Sequence, residues 1–444
     1  MLIFEDIVFA LLANTILMEA EKTGPGRLSW KKRIFFKLLL VLIGTFFGLL
    51  IAEVVLRAGG YSYPEFYTVD ESRGYALSPN MKGWYRKEGE GFIAINSDGL
   101  RDDEHAVAKP ENTLRIAVIG DSYAEALQVS IQETFWKIMQ EKLKGCGAMD
   151  GRQVEVINFG VSGYGTAQEF ITLKEQAWKY SPDIVILAIT TNNDITDNYR
   201  PFKRTEIPYF VHQGGELVLD DSFRSSRSFK VKNSYLSRTG GWIRDRVRVI
   251  QAIQESATIL KYKYLEWSKK PAETQAPINQ AAKPPANSEP AAESPKQQLF
   301  DVGIDNQIYR IPADDNWKEA WHVTEDAILK VYEEVRQKNK LFLAVTLSNG
   351  AQVYPDPKAR AEFMAYARAD DIFYPGTRIR NFAEAHSVPV LTLAPLLQKY
   401  AEQNQVILHG FEKNLGFGHW NQAGHRAAGE ILGDHFCRQP ELSQ

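Results

Sequence analysis

LRIAVIGDSY, residues 114–123, is the stretch on which the fold turns. A short, mostly apolar run that breaks at Gly-Asp-Ser has the form of a buried parallel strand ending in a turn. Helical spacing comes next, from Glu133 to Leu143. The same plan recurs in VEVINFG (154–160), a helical segment over 167–180, and DIVILAIT (183–190). It returns in LFLAVTLS (341–348), after a helix expected near 316–338, and in VPVLTLA (388–394), after one near 377–386. A last helix is expected over 421–436. Strands that alternate with helices need crossovers, and right-handed crossovers cover both faces of a parallel sheet. The predicted class is therefore α/β, with ligands bound beyond the carboxyl ends of the strands.

Outward from that core the chain changes character. Leu38 to Ala52 carries no charge, and Ile34 to Leu56 makes an apolar span of 23 residues. That length crosses a bilayer core of about 30 Å. Arg27, Lys31, Lys32, Arg33 and Lys37 crowd its N-terminal side, whereas Arg57 stands alone beyond it. The positive-inside rule then predicts residues 1–33 in the cytoplasm, a transmembrane helix over 34–56, and everything after it exported, to the periplasm in a bacterium. The run is long for a signal peptide and has no small-x-small cleavage site close after it, so an uncleaved anchor is expected. Met18, ahead of the basic cluster, is an alternative start.

Residues 57–113, rich in Tyr, Gly and charge, read as a small extended collar. Two insertions interrupt the sheet plan within residues 114–438. The first, over 200–267, holds a β-hairpin at IPYFVHQGGELVLD (207–220) and a helix over 242–267. The second, over 268–297, has six prolines and almost no large apolar residue, which predicts a disordered linker. The 52 basic residues do not exceed the 55 acidic ones, so nothing argues for a nucleic-acid partner. With two cysteines, a four-cysteine zinc site, an iron–sulfur cluster and a disulfide framework are excluded on this chain alone. The partner expected from the span over 34–56 is the bilayer.

A second kind of partner is suggested by the residues just past each strand. Asp121-Ser122 ends the first, Val161-Ser162-Gly163-Tyr164-Gly165 the second and Thr191-Asn192-Asn193-Asp194 the third, with His419 ahead of the last helix. A hydroxyl, a free backbone amide, a carboxamide and an imidazole are the groups acyl transfer requires. Ser122 needs a base, and an imidazole suits that task near neutrality. The N–H groups of Ser122 and Gly163 and the amide of Asn193 would meet the oxyanion.

These blocks, GDSY (120–123), GVSGYG (160–165), NND (192–194) and HWNQAGH (419–425), resemble those of the SGNH, or GDSL-type, hydrolases, in family order. The resemblance implies a three-layer α/β/α sandwich around a five-stranded parallel sheet in the flavodoxin-like order, with no metal or cofactor. It also implies Ser122 as nucleophile, His419 as base, and Ser122, Gly163 and Asn193 as the oxyanion hole. The anchor and the NSDGLRD segment look like the membrane-attached bacterial branch, some of whose relatives acylate or deacylate exported polysaccharides. The resemblance implies a small-molecule or glycan ester as substrate; transfer to a glycan hydroxyl on the same residues, or a catalytically weak glycan-binding or assembly protein, are the alternatives to hydrolysis.

One departure matters. The family places an aspartate two or three residues before the histidine, where this chain has Gly416, Phe417 and Gly418. A Ser–His dyad, a carboxylate from elsewhere such as Glu412, and an impaired site all remain open. Tyr164 and Trp420 flank the expected site and are candidates either to stack on a sugar or to pack in the core. Asp121, Asp194 and His425 read as structural. In the flavodoxin-like order the helices before Cys146 and before Cys437 lie side by side and run the same way. A Cys146–Cys437 disulfide is thus expected in an oxidising space.

Overall fold

The computed structural model describes residues 29–146, 151–268 and 305–438. The alternative start at Met18, most of the cytoplasmic segment and the Pro-rich linker lie outside them. Two compact units are present, residues 1–61 and 62–444.

In the first unit, α1 (Trp30–Ala58) is 29 residues long, with no buried side chain. By length and composition it can cross a membrane; at 1.5 Å per residue it reaches about 44 Å. It begins four residues before the expected span and ends two after it, because lysine, arginine and alanine in the flanks sustain a helix.

The second unit opens with two antiparallel hairpins, β1 (Tyr67–Asp70) with β2 (Gly74–Leu77), and β3 (Lys82–Tyr85) with β4 (Gly91–Ala94). Phe66, Leu77, Met81 and Ile93 from this collar pack with Leu127, Val161 and Tyr164 from the loops of the sheet. The collar thus shares its apolar core with the segment that carries the GVSGYG block.

Then comes β5 (Thr113–Gly120), buried at every position. After it stand α2 (Ser122–Glu125), α3 (Phe135–Lys144), β6 (Gln153–Asn158), α4 (Thr166–Glu175) and β7 (Ile184–Ile189). The inserted hairpin is β8 (Tyr209–Gln213) and β9 (Glu216–Asp220). Its helical sequel is two helices rather than one, α5 (Tyr235–Arg246) and α6 (Arg248–Ser268), separated where Val247 takes an extended backbone. Later come α7 (Asp315–Gln337), β10 (Leu341–Thr346), β11 (Val390–Thr392) and α8 (Gln422–Cys437).

The five core strands are all parallel, in the order β11-β10-β7-β5-β6. Successive residues of β5 point to opposite faces. Ile116 and Val118 meet Trp136 and Met139 of α3 and Leu432 of α8. Ala117 and Ile119 meet Phe170 of α4 and Ile328 of α7. The result is a three-layer α/β/α sandwich with two apolar cores. At its edge β11 has only three residues, because the expected strand 388–394 turns at Leu393 into a helix, Leu393–Asn404. Cys146, just past α3, and Cys437, at the end of α8, are joined by a disulfide with Cα atoms 5.9 Å apart.

Candidate active site

Ser122 opens α2 directly after β5. Asp121, fully buried, caps that helix by accepting from the Tyr123 N–H at 3.1 Å. The same carboxylate accepts from the Thr190 hydroxyl at 2.7 Å and from the Asn193 side-chain amide at 2.9 Å. It therefore ties the first and third blocks together. Ser122 Oγ lies 2.8 Å from His419 Nε2, across 297 residues of sequence.

His419 Nδ1 lies 2.5 Å from Glu88 Oε2, and the His419 backbone N–H donates to Glu88 Oε1 at 2.8 Å. Glu88 sits in the turn between β3 and β4, so the collar supplies it. With the Nδ1 proton on the carboxylate side, Nε2 is free to accept the serine proton. Burial acts to raise the Glu88 carboxyl, but the hydrogen bond and charge of His419 outweigh it and hold it below its ordinary range. Burial acts to lower the His419 imidazole, yet Glu88 keeps it above its usual value.

A second histidine braces the first. His409 Nδ1 donates to the Gly418 carbonyl at 2.7 Å, which also accepts from the Tyr123 hydroxyl at 3.1 Å. His409 Nε2 meets the Ser348 hydroxyl at 3.0 Å, and that oxygen accepts from Trp420 Nε1 at 2.8 Å. Burial lowers His409 to about 4, so it is neutral and fixed in this tautomer. Gly418 has φ +78°, and a Cβ there would lie 2.1 Å from Glu88 Oε1. Only glycine lets the chain pass so close to that carboxylate.

The second block is held as tightly. Glu125, fully buried, accepts from the Tyr67 hydroxyl and the Ser162 N–H, each at 2.9 Å, and from the Ser162 hydroxyl. Tyr75 donates to the Ser162 carbonyl at 2.8 Å, and Lys203 to the Gly163 carbonyl at 2.6 Å. Gly163 itself takes φ +71°. Among the described residues, the N–H groups of Ser122 and Gly163 donate to no acceptor. Behind the third block lie the buried carboxyls Glu169 and Asp194. Burial first, then neighbouring carboxylate charge, Asp121 foremost for Glu169 and Glu169 foremost for Asp194, pushes both well above the ordinary carboxyl range.

Three expected residues stand elsewhere. Glu412 is exposed, on a short turn, while Glu88 occupies the place on the imidazole for which it was a candidate. Tyr164 is fully buried and donates to the Tyr75 carbonyl at 2.6 Å, which leaves no face for a sugar. Trp420 is buried too, and serves the His409–Ser348 brace instead. His425 stacks on Phe135 inside the core. Glu88 was missed because its signal is slight: a glutamate in KEGEG (87–91), between two stretches rich in aromatic residues, gives no spacing to a histidine 331 positions away.

Fold and site together define a class: an α/β sandwich with a serine, a histidine and a carboxylate in hydrogen-bonded series where its parallel strands end. No protein-family model matches the chain, and no curated protein matches it in sequence. Among solved structures it is similar to an acetyl xylan esterase, at 13% identity and a TM-score of 0.34, over 72% of this chain and 99% of that one. It is similar also to a putative lipolytic protein of the G-D-S-L family from Desulfitobacterium hafniense, at 9% and 0.31, over 72% and 98%. A catalytic mutant of an acetylxylan esterase from Geobacillus stearothermophilus aligns at 10% and 0.33, over 73% and 94%.

Proposed function

We propose that this chain is a membrane-anchored serine ester hydrolase whose nucleophile is Ser122. The observation that carries the reading is the continuous series Ser122 Oγ, His419, Glu88, with spacings of 2.8 and 2.5 Å. Ser122 Oγ attacks the ester carbonyl carbon as His419 Nε2 takes its proton. The N–H groups of Ser122 and Gly163, with the Asn193 amide, receive the negative charge that develops on the carbonyl oxygen. Collapse breaks the bond to the leaving alkoxide, which His419 protonates. Water then attacks the acyl-enzyme, His419 accepts its proton, and the acid departs from a restored serine. Glu88 stays ionised throughout; it orients the imidazole and stabilises imidazolium. These side chains and backbone amides need no metal or cofactor to do this.

An inert, glycan-binding protein drew its support from an imidazole without a carboxylate, and Glu88 removes that support. We assign α1 as the anchor, with its basic N-terminal flank in the cytoplasm and the second unit in an oxidising exterior, in keeping with the Cys146–Cys437 bridge. An O-acetylated exported polysaccharide is the substrate class we favour. Acetyl-ester hydrolysis by the full chain in detergent tests the reading. Ser122→Ala should lower kcat by at least about 10⁴-fold and abolish fluorophosphonate labelling; equal rates in the two proteins would overturn it. Transfer to a glycan uses the same acyl-enzyme, and an acetylated sugar among the products would identify it.

A further inference from the structure

The insertion after the sheet's third strand leaves a row of large apolar side chains in the open. On α5, Tyr235 is 82% exposed, Leu236 83%, Trp242 57% and Ile243 41%. At 100° per residue, positions 235, 236, 242 and 243 fall within one arc of about 120°, a single face of the helix. On α6, Ile253 and Leu260, seven residues apart, are 63% and 66% exposed. Along this stretch of the sequence the charge is one-sided, although Lys232 pairs with Glu206, and Arg244 with Glu65 and Asp245. From Arg227 to Lys261 there are eight lysines and arginines against two acidic residues, Asp245 and Glu255. Asp245 is buried and committed, since it accepts from the Glu65 N–H at 3.3 Å. The Arg246 guanidinium lies 4.4 Å over the Trp242 ring, with its charge beside the apolar row.

An exposed apolar stripe with Trp and Tyr, rimmed by cations, is the composition of a helix that lies in a membrane interface. The connectivity points to the same occupant. The Gln251 side chain accepts from the Tyr63 N–H at 2.8 Å, and Arg244 pairs with Glu65 at 3.0 Å, so the α5–α6 junction is fastened to residues 63–65. Only residues 59–62 separate Tyr63 from the end of α1 in the sequence. Even fully extended, five steps from Ala58 to Tyr63 span at most about 18 Å.

We propose that the α5–α6 insertion lies on the anionic surface of the bilayer that α1 crosses, with Tyr235, Leu236, Trp242 and Ile243 set among the acyl chains and the cations against the headgroups. The inference rests on the anchored reading above. The test uses the full chain in nanodiscs of phosphatidylcholine and phosphatidylglycerol. Spin labels are placed singly by Leu236→Cys, by Leu42→Cys in α1 and by Ile311→Cys, an exposed site remote in sequence from the insertion. With both native cysteines in a disulfide, the introduced thiol is the one that reacts. At Leu236, collisions with lipid-soluble oxygen should exceed those with aqueous nickel several-fold, as at Leu42 and unlike Ile311. Leu236 resembling Ile311 while Leu42 stays in lipid overturns the proposal and leaves the anchor standing. An aqueous Leu42 overturns the anchor and the proposal with it. Spin–spin coupling between Leu236 labels would mean that a second copy covers the row, and would overturn it as well.

Discussion

Glu88 is the residue on which the chemistry can be tested most sharply. The base proposed here, His419, can act only when neutral, and Glu88 raises its pKa, so kcat/KM should climb with pH through a value above the ordinary 6.5 or so of histidine. In Glu88→Gln that raising influence disappears while burial, which lowers the imidazole, remains. The acid limb should therefore move to lower pH as kcat falls, by up to about 10⁴-fold. A pH–rate profile of both proteins checks the two effects together, and Glu412→Gln should alter neither. A limb that stays in place in Glu88→Gln would mean that another group sets the imidazole. Glycans are not gripped by Tyr164 or Trp420, because each spends its polar atom inside the protein, on the Tyr75 carbonyl and the Ser348 hydroxyl.

At the scale of elements, the site is the meeting of a hairpin tip with a loop. The β3–β4 turn brings Glu88 to the segment 409–420, which His409 and Tyr123 clamp through the Gly418 carbonyl. The fit leaves no room for a methyl group at Gly418. Gly418→Ala should displace the carboxylate by enough to cost about 10²-fold in kcat, with KM nearly unchanged. Single-turnover kinetics, with circular dichroism to verify the fold, would show it. Full activity in that variant would mean that hairpin and loop yield to one another freely. The collar holds the second block in the same way, through Tyr67, Tyr75 and the apolar contacts to Val161 and Tyr164. It is part of the site's wall and supplies one of the site's groups.

For the molecule as a whole, the Cys146–Cys437 bridge closes a loop of 291 residues that takes in four of the five sheet strands, with β5 and α3 ahead of it in the sequence. Such a closure restricts the unfolded chain far more than the folded one. Replacing both cysteines by serine should cost about 2–5 kcal/mol. Urea unfolding of the purified protein, with and without the pair, measures it. Activity below the transition should persist, because the bridge joins the residue just past α3 to the last residue of α8, and Ser122 and His419 each stand ahead of the helix that leads to it. An unchanged midpoint would mean that packing between α3 and α8 already imposes the same restriction.

Strand and helix periods, the apolar span of α1 and the polar turns after each strand are local properties. Those were legible in the residues alone: the α/β class, the order of the elements and three of the blocks together with His419. Burial in a parallel sheet demands apolar runs, and turns demand Gly, Asp and Ser, so each leaves a mark in the sequence. The carboxylate on the imidazole left none. A glutamate in a polar turn looks the same whether it faces water or a histidine 331 residues on. Its role depends on where the collar folds back, and that position is set by apolar contacts between distant segments. The fates of Tyr164 and Trp420 were decided likewise, since an aromatic beside a site is core or platform according to which neighbours close over it.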